Sequence, residues 1–382
     1  MKKLLLTITT LLLSSAFLLA DVTEKTYHFS EPSIADADGY HLVSFENTML
    51  NGVPGEPALP YQAVALLLPP GHVAQSIRVI PGEEVVLDGT YQIYPRQHAQ
   101  PVSKGRPGEF VKNEAVYQKD AAYPESLYGQ FTTQFQNGYG VAMSAFTPVQ
   151  YNPASGQLSY FKSVTVEVVS VADGRAQGAL QNLQASAPVM QRLGHLVQNI
   201  SAVETYPQPQ HRSDDYDMII ITPDQFAGDF VQLVDFYAPR GLEVQIATTE
   251  DIYASMTGQD NQEKIRNYII QEYQDHGIEH VTLAGDVEHV PYRGFYCTVQ
   301  SSSVYESNDI PSDLYYSGLD GTWNDDGDDN WAEIGEDDLL PEIGIGRFSI
   351  SNQSDLDALM NKTLSYQESP VQGELRDELL VG

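Results

Sequence analysis

The chain has 382 residues, and its 52 acidic residues against 20 basic residues give a formal net charge of −32 at pH 7. A field of that sign repels nucleic acid and anionic membrane surfaces, so we expect neither as a partner, and it attracts cations such as Ca²⁺. The length allows about two domains, and the single cysteine, Cys297, excludes an internal disulfide bond.

Residues 1–20 have the pattern of a secretory signal peptide. Lys2 and Lys3 give a short positive segment, and an apolar run over residues 4–20 follows. The run is too short to span a membrane, and no stop-transfer pattern comes after it. We expect cleavage after Ala20 and a mature chain without a membrane span, which is secreted or held at the cell surface.

The next region alternates in the manner of β-strands. Val164, Val166 and Val168 are separated by polar residues, which is the period of a half-buried strand. Residues 145–151 predict another strand, and the Asn, Pro, Ser and Gly of residues 152–156 predict a turn. We expect these two strands to form a hairpin within an antiparallel, sandwich-like domain.

This β-rich region is predicted to cover residues 21–204 and to end in one or two helices over 176–200. A polar, proline-bearing stretch at residues 205–215 then has the composition of a linker. Exposed linkers are preferred sites of proteolysis. Arg212 is therefore a candidate processing site, and the alternative is an ordinary linker arginine.

After the linker, the pattern changes to alternating strands and helices. Residues 218–221 form a short apolar run of the kind buried on both faces of a parallel sheet. Thr222 is the predicted N-cap of the following helix, with Pro223 at its first position and Gly241 at its end. The first strand and helix of an α/β domain are therefore predicted over residues 218–241.

The same alternation continues to the end of the sequence. Asp260 and Glu263 predict a second capping box, and Gly277 predicts the end of that helix. The further elements are strands over 242–247, 281–284 and 343–345, a helix over 354–367, and a last strand from Leu379. Strands joined by capped helices indicate a parallel, doubly wound sheet over residues 216–382.

Several segments of both regions resemble one family in order and spacing. They are residues 55–60 (GEPALP), 68–71 (LPPG), 148–153 (PVQYNP), 283–286 (LAGD), 290–293 (VPYR), 312–316 (SDLYY), 319–321 (LDG) and 341–348 (PEIGIGRF). These segments resemble the gingipain-type cysteine peptidases of clan CD, family C25. The resemblance covers nearly the whole exported chain.

The resemblance implies a β-rich propeptide that binds its own caspase-like catalytic domain. It also implies an endopeptidase that cleaves proteins or peptides with a histidine–cysteine pair at the carboxyl edge of the sheet. In the family, that pair follows the strand that begins here at Leu379. We therefore expect a partial catalytic domain without catalytic residues, which is inactive as given, from either a truncated reading frame or a non-catalytic remnant. The alternative is a non-catalytic, calcium-stabilised structural or adhesion protein.

An acidic loop carries the strongest local chemistry. Oxygen-bearing side chains recur at every second residue around Gly327, and calcium takes six to eight oxygen ligands in flexible geometry. Thr322 stands where an EF-hand would begin with aspartate, so that strict pattern is not met. The alternative is a solvated loop in an acidic protein. The candidate calcium ligands are Asp320, Asn324, Asp326, Asp328, Asn330 and Glu333.

Cys297 invites an interpretation as a nucleophile, with His289 eight residues before it. The neighbouring Phe295 and Val299 favour the alternative, a small packing residue. The sequence contains no Gly-x-Ser-x-Gly elbow, His-Glu-x-x-His motif or P-loop. The sequence therefore gives no support to a serine hydrolase, a zincin or a P-loop nucleotide-binding protein.

Overall fold

The computed structural model describes residues 20–98, 109–209, 216–300 and 304–368. Ala20 is exposed and directly precedes the first strand. The rest of the predicted signal peptide, the candidate processing site Arg212 and the predicted strand from Leu379 lie outside the described residues. Within the described residues, no helix is both long and apolar enough to cross a membrane.

The first region consists mainly of antiparallel strands. They are β1 (Asp21–His28), β2 (Ser33–Ala37), β3 (Tyr40–Ser44), β4 (Thr48–Asn51), β5 (Leu59–Leu67), β6 (His72–Pro81), β7 (Glu84–Val86), β8 (Thr132–Gln136), β9 (Tyr139–Phe146), β10 (Val149–Asn152), β11 (Gln157–Phe161) and β12 (Ser163–Ala172). Their sheets have the orders β4-β5-β9-β8, β1-β12-β6 and β10-β11-β7, with β2 and β3 as a separate pair.

Two of these sheets pack face to face. The alternating Val164, Val166 and Val168 of β12 are buried in one core with Leu66 of β5 and Phe146 of β9. Full burial of a side chain of this size contributes roughly 1.5–3 kcal/mol. The alternation therefore produces the predicted antiparallel sandwich, and that prediction is confirmed.

Among its described residues, the first region has three α-helices, α1 (Glu114–Tyr117), α2 (Gly174–Ala179) and α3 (Ala187–Leu196). The Ser186 side chain caps α3 by accepting a hydrogen bond from the backbone N–H of Val189. Val189 and Leu193 pack in one core with Leu67 of β5 and Val141 of β9. The helix therefore covers a second face of the sheet that contains β5 and β9.

The predicted hairpin has a different second strand from the one expected. The turn at residues 153–156 joins β10 to β11, with Val149 opposite Tyr160 and Asn152 opposite Gln157. The strand predicted around Val164 is β12, which instead lies between β1 and β6. The pairing prediction was wrong because a tight turn pairs the strand that follows it immediately, and the sequence analysis missed β11.

The part of the second region that the structure describes is built on four parallel strands. The strands of this region are β13 (Met218–Thr222), β14 (Val244–Thr248), β15 (His280–Ala284), β16 (Arg293–Gln300), β17 (Val304–Ser312) and β18 (Gly344–Phe348). Its helices are α4 (Asp224–Ala227), α5 (Val231–Tyr237), α6 (Thr249–Ser255), α7 (Asn261–His276) and α8 (Gln353–Glu368). The parallel sheet has the order β14-β13-β15-β18, and β16 and β17 form an antiparallel hairpin inserted after β15.

The parallel sheet is covered by helices on both faces. Ile219 and Ile221 of β13 pack with α6 and α7. Met218 and Ile220 of the same strand pack with α4, α5 and α8. A strand that is buried on both faces explains the continuous apolar run in the sequence. The predicted doubly wound sheet is confirmed.

The first helix of this region is capped differently from the prediction. Thr222 is buried in β13, and its hydroxyl donates to the Ala284 carbonyl at 2.8 Å. The backbone N–H of Asp224 donates instead to the Glu250 carboxylate at 3.0 Å. The Thr222 prediction was wrong because the threonine is still part of the strand. The helix N-terminus is satisfied by a carboxylate from another element.

The predicted ends of α7 agree with the structure. The Asp260 side chain accepts from the backbone N–H of Glu263, as an N-cap should. The Glu263 carboxylate accepts from the backbone N–H of Gln259 rather than from that of Asp260, so the reciprocal half of the predicted capping box is shifted by one residue. Gly277 adopts a left-handed conformation at the C-terminus. This helix therefore has the local signals that its sequence indicates.

Candidate metal centre

The acidic loop lies between the turn at Leu314–Tyr316 and β18. It closes on Trp323, which is fully buried and donates its indole N–H to the Gly318 carbonyl at 3.1 Å. Its ring stacks on Phe295 with 4.8 Å between centroids. This apolar anchor holds the loop against the body of the domain and turns part of its acidic sequence inward.

Three carboxylates meet in the interior beside this anchor. Oxygens of Asp320, Asp338 and Glu342 lie within 4.8 Å of one another, and all three residues are buried. The Asn182 amide donates to Asp320 Oδ1 at 2.8 Å. The backbone N–H of Leu319 donates to Glu342 Oε2 at 2.6 Å. We call these three residues the buried acid trio.

One buried arginine lies next to the trio. The Arg266 guanidinium donates to the carbonyls of Tyr315, Gly318, Asp320 and Gly321 at 2.8–3.3 Å. Burial lowers the pKa of Arg266, and the nearby acidic groups oppose that change. The hydrogen bonds of the guanidinium thus shape the backbone of the loop, and its charge offsets only part of the charge of the three carboxylates.

The electrostatics of the buried acid trio favour a cation or a shared proton among its carboxylates. Burial raises the pKa of Asp320 to about 6. Burial and then the mutual charges raise the pKa of Asp338 and Glu342 well above their usual values. Asp320 Oδ2 is buried and accepts no hydrogen bond from the described residues. A shared proton or a cation would stabilise this arrangement, and three carboxylates in a group suit calcium.

A second acidic cluster lies at the surface of the same loop. Oxygens of Asp326, Asp328 and Glu333 also come within 4.8 Å of one another. The Asn324 amide oxygen accepts from the Gly327 N–H at 2.8 Å, so that side chain is used by the turn. Partial desolvation and the adjacent Asp328 and Asp326 carboxylates raise the pKa of Glu333.

The six candidate ligands therefore do not form a single group. The structure brings Asp326, Asp328 and Glu333 together, while Asn324 and Asn330 form hydrogen bonds within the loop. Asp320 lies with Asp338 and Glu342 instead. Sequence analysis missed those two partners. The only signal was the order of acidic residues just ahead of β18, because no short-range spacing links them to Asp320.

The first region contacts the buried trio through a tight turn. Asn137 and Gly138 join β8 to β9, and both have positive φ, as a two-residue hairpin turn requires. The backbone N–H of Asn137 donates to Glu342 Oε1 at 3.1 Å. The Asn137 amide donates to the Tyr273 hydroxyl at 2.7 Å. The tip of this hairpin is therefore docked on the second region.

The docking site lies at the amino ends of the parallel strands. Glu342 precedes β18, and Tyr273 is near the end of α7, just ahead of β15. At the same edge, the Ser186 hydroxyl donates to the Glu279 carboxylate at 3.0 Å. Ligands of open α/β sheets bind at the opposite edge, beyond the carboxyl ends of the strands.

The Gly138 turn leads to a stability prediction. A Cβ at Gly138 would lie 2.6 Å from Leu183 Cα, at a φ of +84°. We expect Gly138→Ala to lower the free energy of unfolding by roughly 2–5 kcal/mol, because backbone strain and overpacking add. Gly39 has a φ of +81° with nothing within 4 Å, so Gly39→Ala is the control with strain alone, roughly 1–2 kcal/mol. Urea denaturation would measure both, and equal losses would contradict the close packing.

The carboxyl edge carries polar groups of its own. Asp286 and His289 follow β15, and the Ser351 hydroxyl donates to Asp286 Oδ2 at 3.1 Å. The His289 ring packs edge-to-face on Phe226 at 5.5 Å between centroids. Cys297 is half-buried in β16, opposite Ser307 of β17. His289 and Cys297, which the sequence analysis considered together, thus contact different parts of the second region.

Two family models match the chain in sequence. Peptidase family C25 matches residues 211–381, and the model Propeptide_C25 matches residues 28–187. Gingipain R1 of Porphyromonas gingivalis is 24% identical over 226 residues, which are 59% of this chain and 19% of that protein. Gingipain R2 of the same species is 25% identical over 227 residues, which are 59% of this chain and 26% of that protein.

Solved structures give weaker similarities. The complex of Porphyromonas gingivalis RgpB pro- and mature domains has a TM-score of 0.36 and 14% identity, covering 47% of this chain and 93% of that chain. A structure on the zymogenic latency of gingipain K has a TM-score of 0.34 and 22% identity, covering 42% and 97%. The chain spans only 11–26% of the length of the curated relatives it matches. From the two family models, this chain belongs to peptidase family C25 and carries that family's propeptide ahead of its peptidase region.

Proposed function

We propose that this chain is the N-terminal part of an exported cysteine endopeptidase precursor, acting on proteins or peptides. The main support is the order of the two family matches, with the propeptide match ending at residue 187 and the peptidase match starting at residue 211. The docking of the first region on the second fits a propeptide that binds its own catalytic region. Export through the signal peptide and processing at Arg212 are parts of the same proposal.

The chemistry of such an enzyme places the catalytic pair at the carboxyl edge of the sheet. A thiolate attacks the scissile carbonyl, and an imidazole protonates the leaving amine. We assign neither role to a residue of this chain. Cys297 lies in the inserted hairpin, and His289 packs on Phe226 instead.

A hydrolysis assay tests this proposal. The purified chain is expected to show no thiol-dependent peptide cleavage, and Cys297→Ala should change nothing, because Cys297 lies in the inserted hairpin and His289 packs on Phe226. The complete reading frame that contains these residues is expected to cleave peptides in reducing buffer, to lose activity with iodoacetamide, and to retain it with Cys297→Ala. Loss of activity in that variant would make Cys297 the nucleophile, and insensitivity to iodoacetamide would contradict a cysteine peptidase.

We also propose that calcium stabilises the second region. Asp320, Asp338 and Glu342 supply carboxylate oxygens in a buried space where Asp320 Oδ2 has no donor among the described residues. Asp326, Asp328 and Glu333 offer a second, exposed group. A calcium ion would neutralise the carboxylates and connect the loop to the start of β18. Structural metal suits an exported chain that cannot form an internal disulfide.

A further inference from the structure

The buried trio is shared between the two regions, although all three carboxylates come from the second. The Asn182 amide of the first region donates to Asp320 Oδ1 at 2.8 Å, and the Asn137 backbone N–H donates to Glu342 Oε1 at 3.1 Å. Both asparagines are buried. The first region therefore supplies two of the hydrogen bonds that hold these carboxylates in place.

The segment that supplies two of the carboxylates is also part of the docking surface. The Leu339 N–H donates to Gln134 Oε1 of β8 at 3.1 Å. This contact lies between Asp338 and Glu342 in the chain. The Asn137 amide also donates to the Glu342 carbonyl at 3.0 Å. The spacing of the carboxylates and the shape of the docking surface are thus set by the same backbone.

We propose that a calcium ion in the buried acid trio and the docked first region stabilise each other. After the chain is cut between the regions, calcium keeps the first region attached, and withdrawal of calcium releases it. This inference rests on the proposed calcium function. The propeptide would then dissociate when calcium is withdrawn, without any contact at the carboxyl edge of the parallel sheet.

The physical reason is repulsion between like charges in a poorly solvated space. Without the cation, Asp320, Asp338 and Glu342 must either take up protons or repel one another, because the local dielectric constant is low. Their separation would move the backbone of the segment that Asn137 and Gln134 contact. Coupling between two binding events is reciprocal, so the docked first region must strengthen calcium binding by the same factor.

The test uses the whole chain with a site-specific protease sequence placed within residues 210–215. After cutting, the dissociation constant between the halves is measured in calcium and in EGTA. We expect a dissociation constant at least about tenfold higher in EGTA, which corresponds to a coupling of about 1.4 kcal/mol. The calcium affinity of the chain, measured by calorimetry, is expected to be higher when the first region is attached than after it has separated.

Two variants locate the coupling. Asn182→Ala removes the donor to Asp320 and should reduce the ratio between the calcium and EGTA values. Glu279→Ala removes the contact with Ser186 at the same interface, away from the trio, and should weaken attachment equally in both conditions. The main comparison needs no variant, so a misfolded Asn182→Ala does not affect it.

The outcomes separate this inference from the calcium proposal. Calcium binding to the uncut chain, together with equal attachment in calcium and EGTA, would overturn the coupling and leave the metal site standing. Absence of calcium binding to the uncut chain would overturn both. A higher dissociation constant in EGTA than in calcium, with a ratio that Asn182→Ala reduces and Glu279→Ala leaves unchanged, would establish the coupling.

Discussion

Replacing Arg266 by methionine is expected to destabilise the second region by roughly 3–5 kcal/mol, the usual effect of removing one partner from a buried charge cluster. The guanidinium is buried and donates to four backbone carbonyls between Tyr315 and Gly321. Methionine fills similar space and donates no hydrogen bond. It removes a donor from all four carbonyls, although Gly318 still accepts from the Trp323 indole. It also removes a positive charge from beside Asp320, Asp338 and Glu342.

The measurement is urea denaturation followed by tryptophan fluorescence. Both tryptophans of the chain, Trp323 and Trp331, belong to the acidic loop, so the signal reports the affected region. Arg78→Met is the control. Arg78 pairs with Glu167 at an exposed position of the first region and should contribute less than about 1 kcal/mol, and circular dichroism follows the unfolding of that region. If Arg266→Met were as mild as Arg78→Met, the guanidinium would not be holding the loop.

The parts of the fold that the sequence predicted correctly depend on local patterns. The alternation of Val164, Val166 and Val168 reports a strand with one buried face, whatever its neighbours are. Asp260 caps α7 through a bond to Glu263, three residues later. Gly277 ends the same helix in a left-handed conformation that glycine adopts without strain. Each of these features is decided within a few residues, so the sequence alone is sufficient.

The wrong predictions depend on tertiary pairing. Thr222 has the residue type of an N-cap, yet its hydroxyl donates to Ala284 on the neighbouring strand, and Glu250 satisfies the helix. The order of the first-region sheets was also hidden, because β12 pairs with β1 and β6, which are far away in sequence. Long-range partners of this kind leave no periodic signal in one chain.

The two carboxylate groups of the candidate metal centre show the same contrast between local and tertiary interactions. The alternating oxygens of the loop predicted the group that contains Asp326 and Asp328, which depends on local turns. The buried acid trio depends on tertiary contacts. Trp323 and Arg266 hold the loop closed, and in the closed loop the backbone N–H of Asp320 donates to Asp338 Oδ2. The grouping of these three carboxylates could therefore not be predicted from the sequence, although each of them is visible there as an acidic residue.

Calcium is expected to raise the melting temperature of the chain by about 5–10 °C at a concentration roughly one hundred times its dissociation constant. Binding to the native state alone at that concentration contributes about 2.7 kcal/mol, and each kcal/mol moves the transition by about 2–4 °C for a region of this size. Thermal denaturation in calcium and in EGTA, at equal ionic strength, measures the effect. Magnesium is the control for general screening, since its near-octahedral demands suit this group less well.

Two aspartate variants show which cluster binds the ion. Asp338→Asn keeps the shape of the buried trio and removes one charge, so it should abolish most of the calcium effect. Asp328→Asn makes the same change in the exposed cluster, where solvent already screens the carboxylates, and should leave most of the effect intact. The reverse result would move the stabilising ion to the surface loop. If calcium did not change the melting temperature of the unaltered chain, protons would instead neutralise the carboxylates of the buried acid trio.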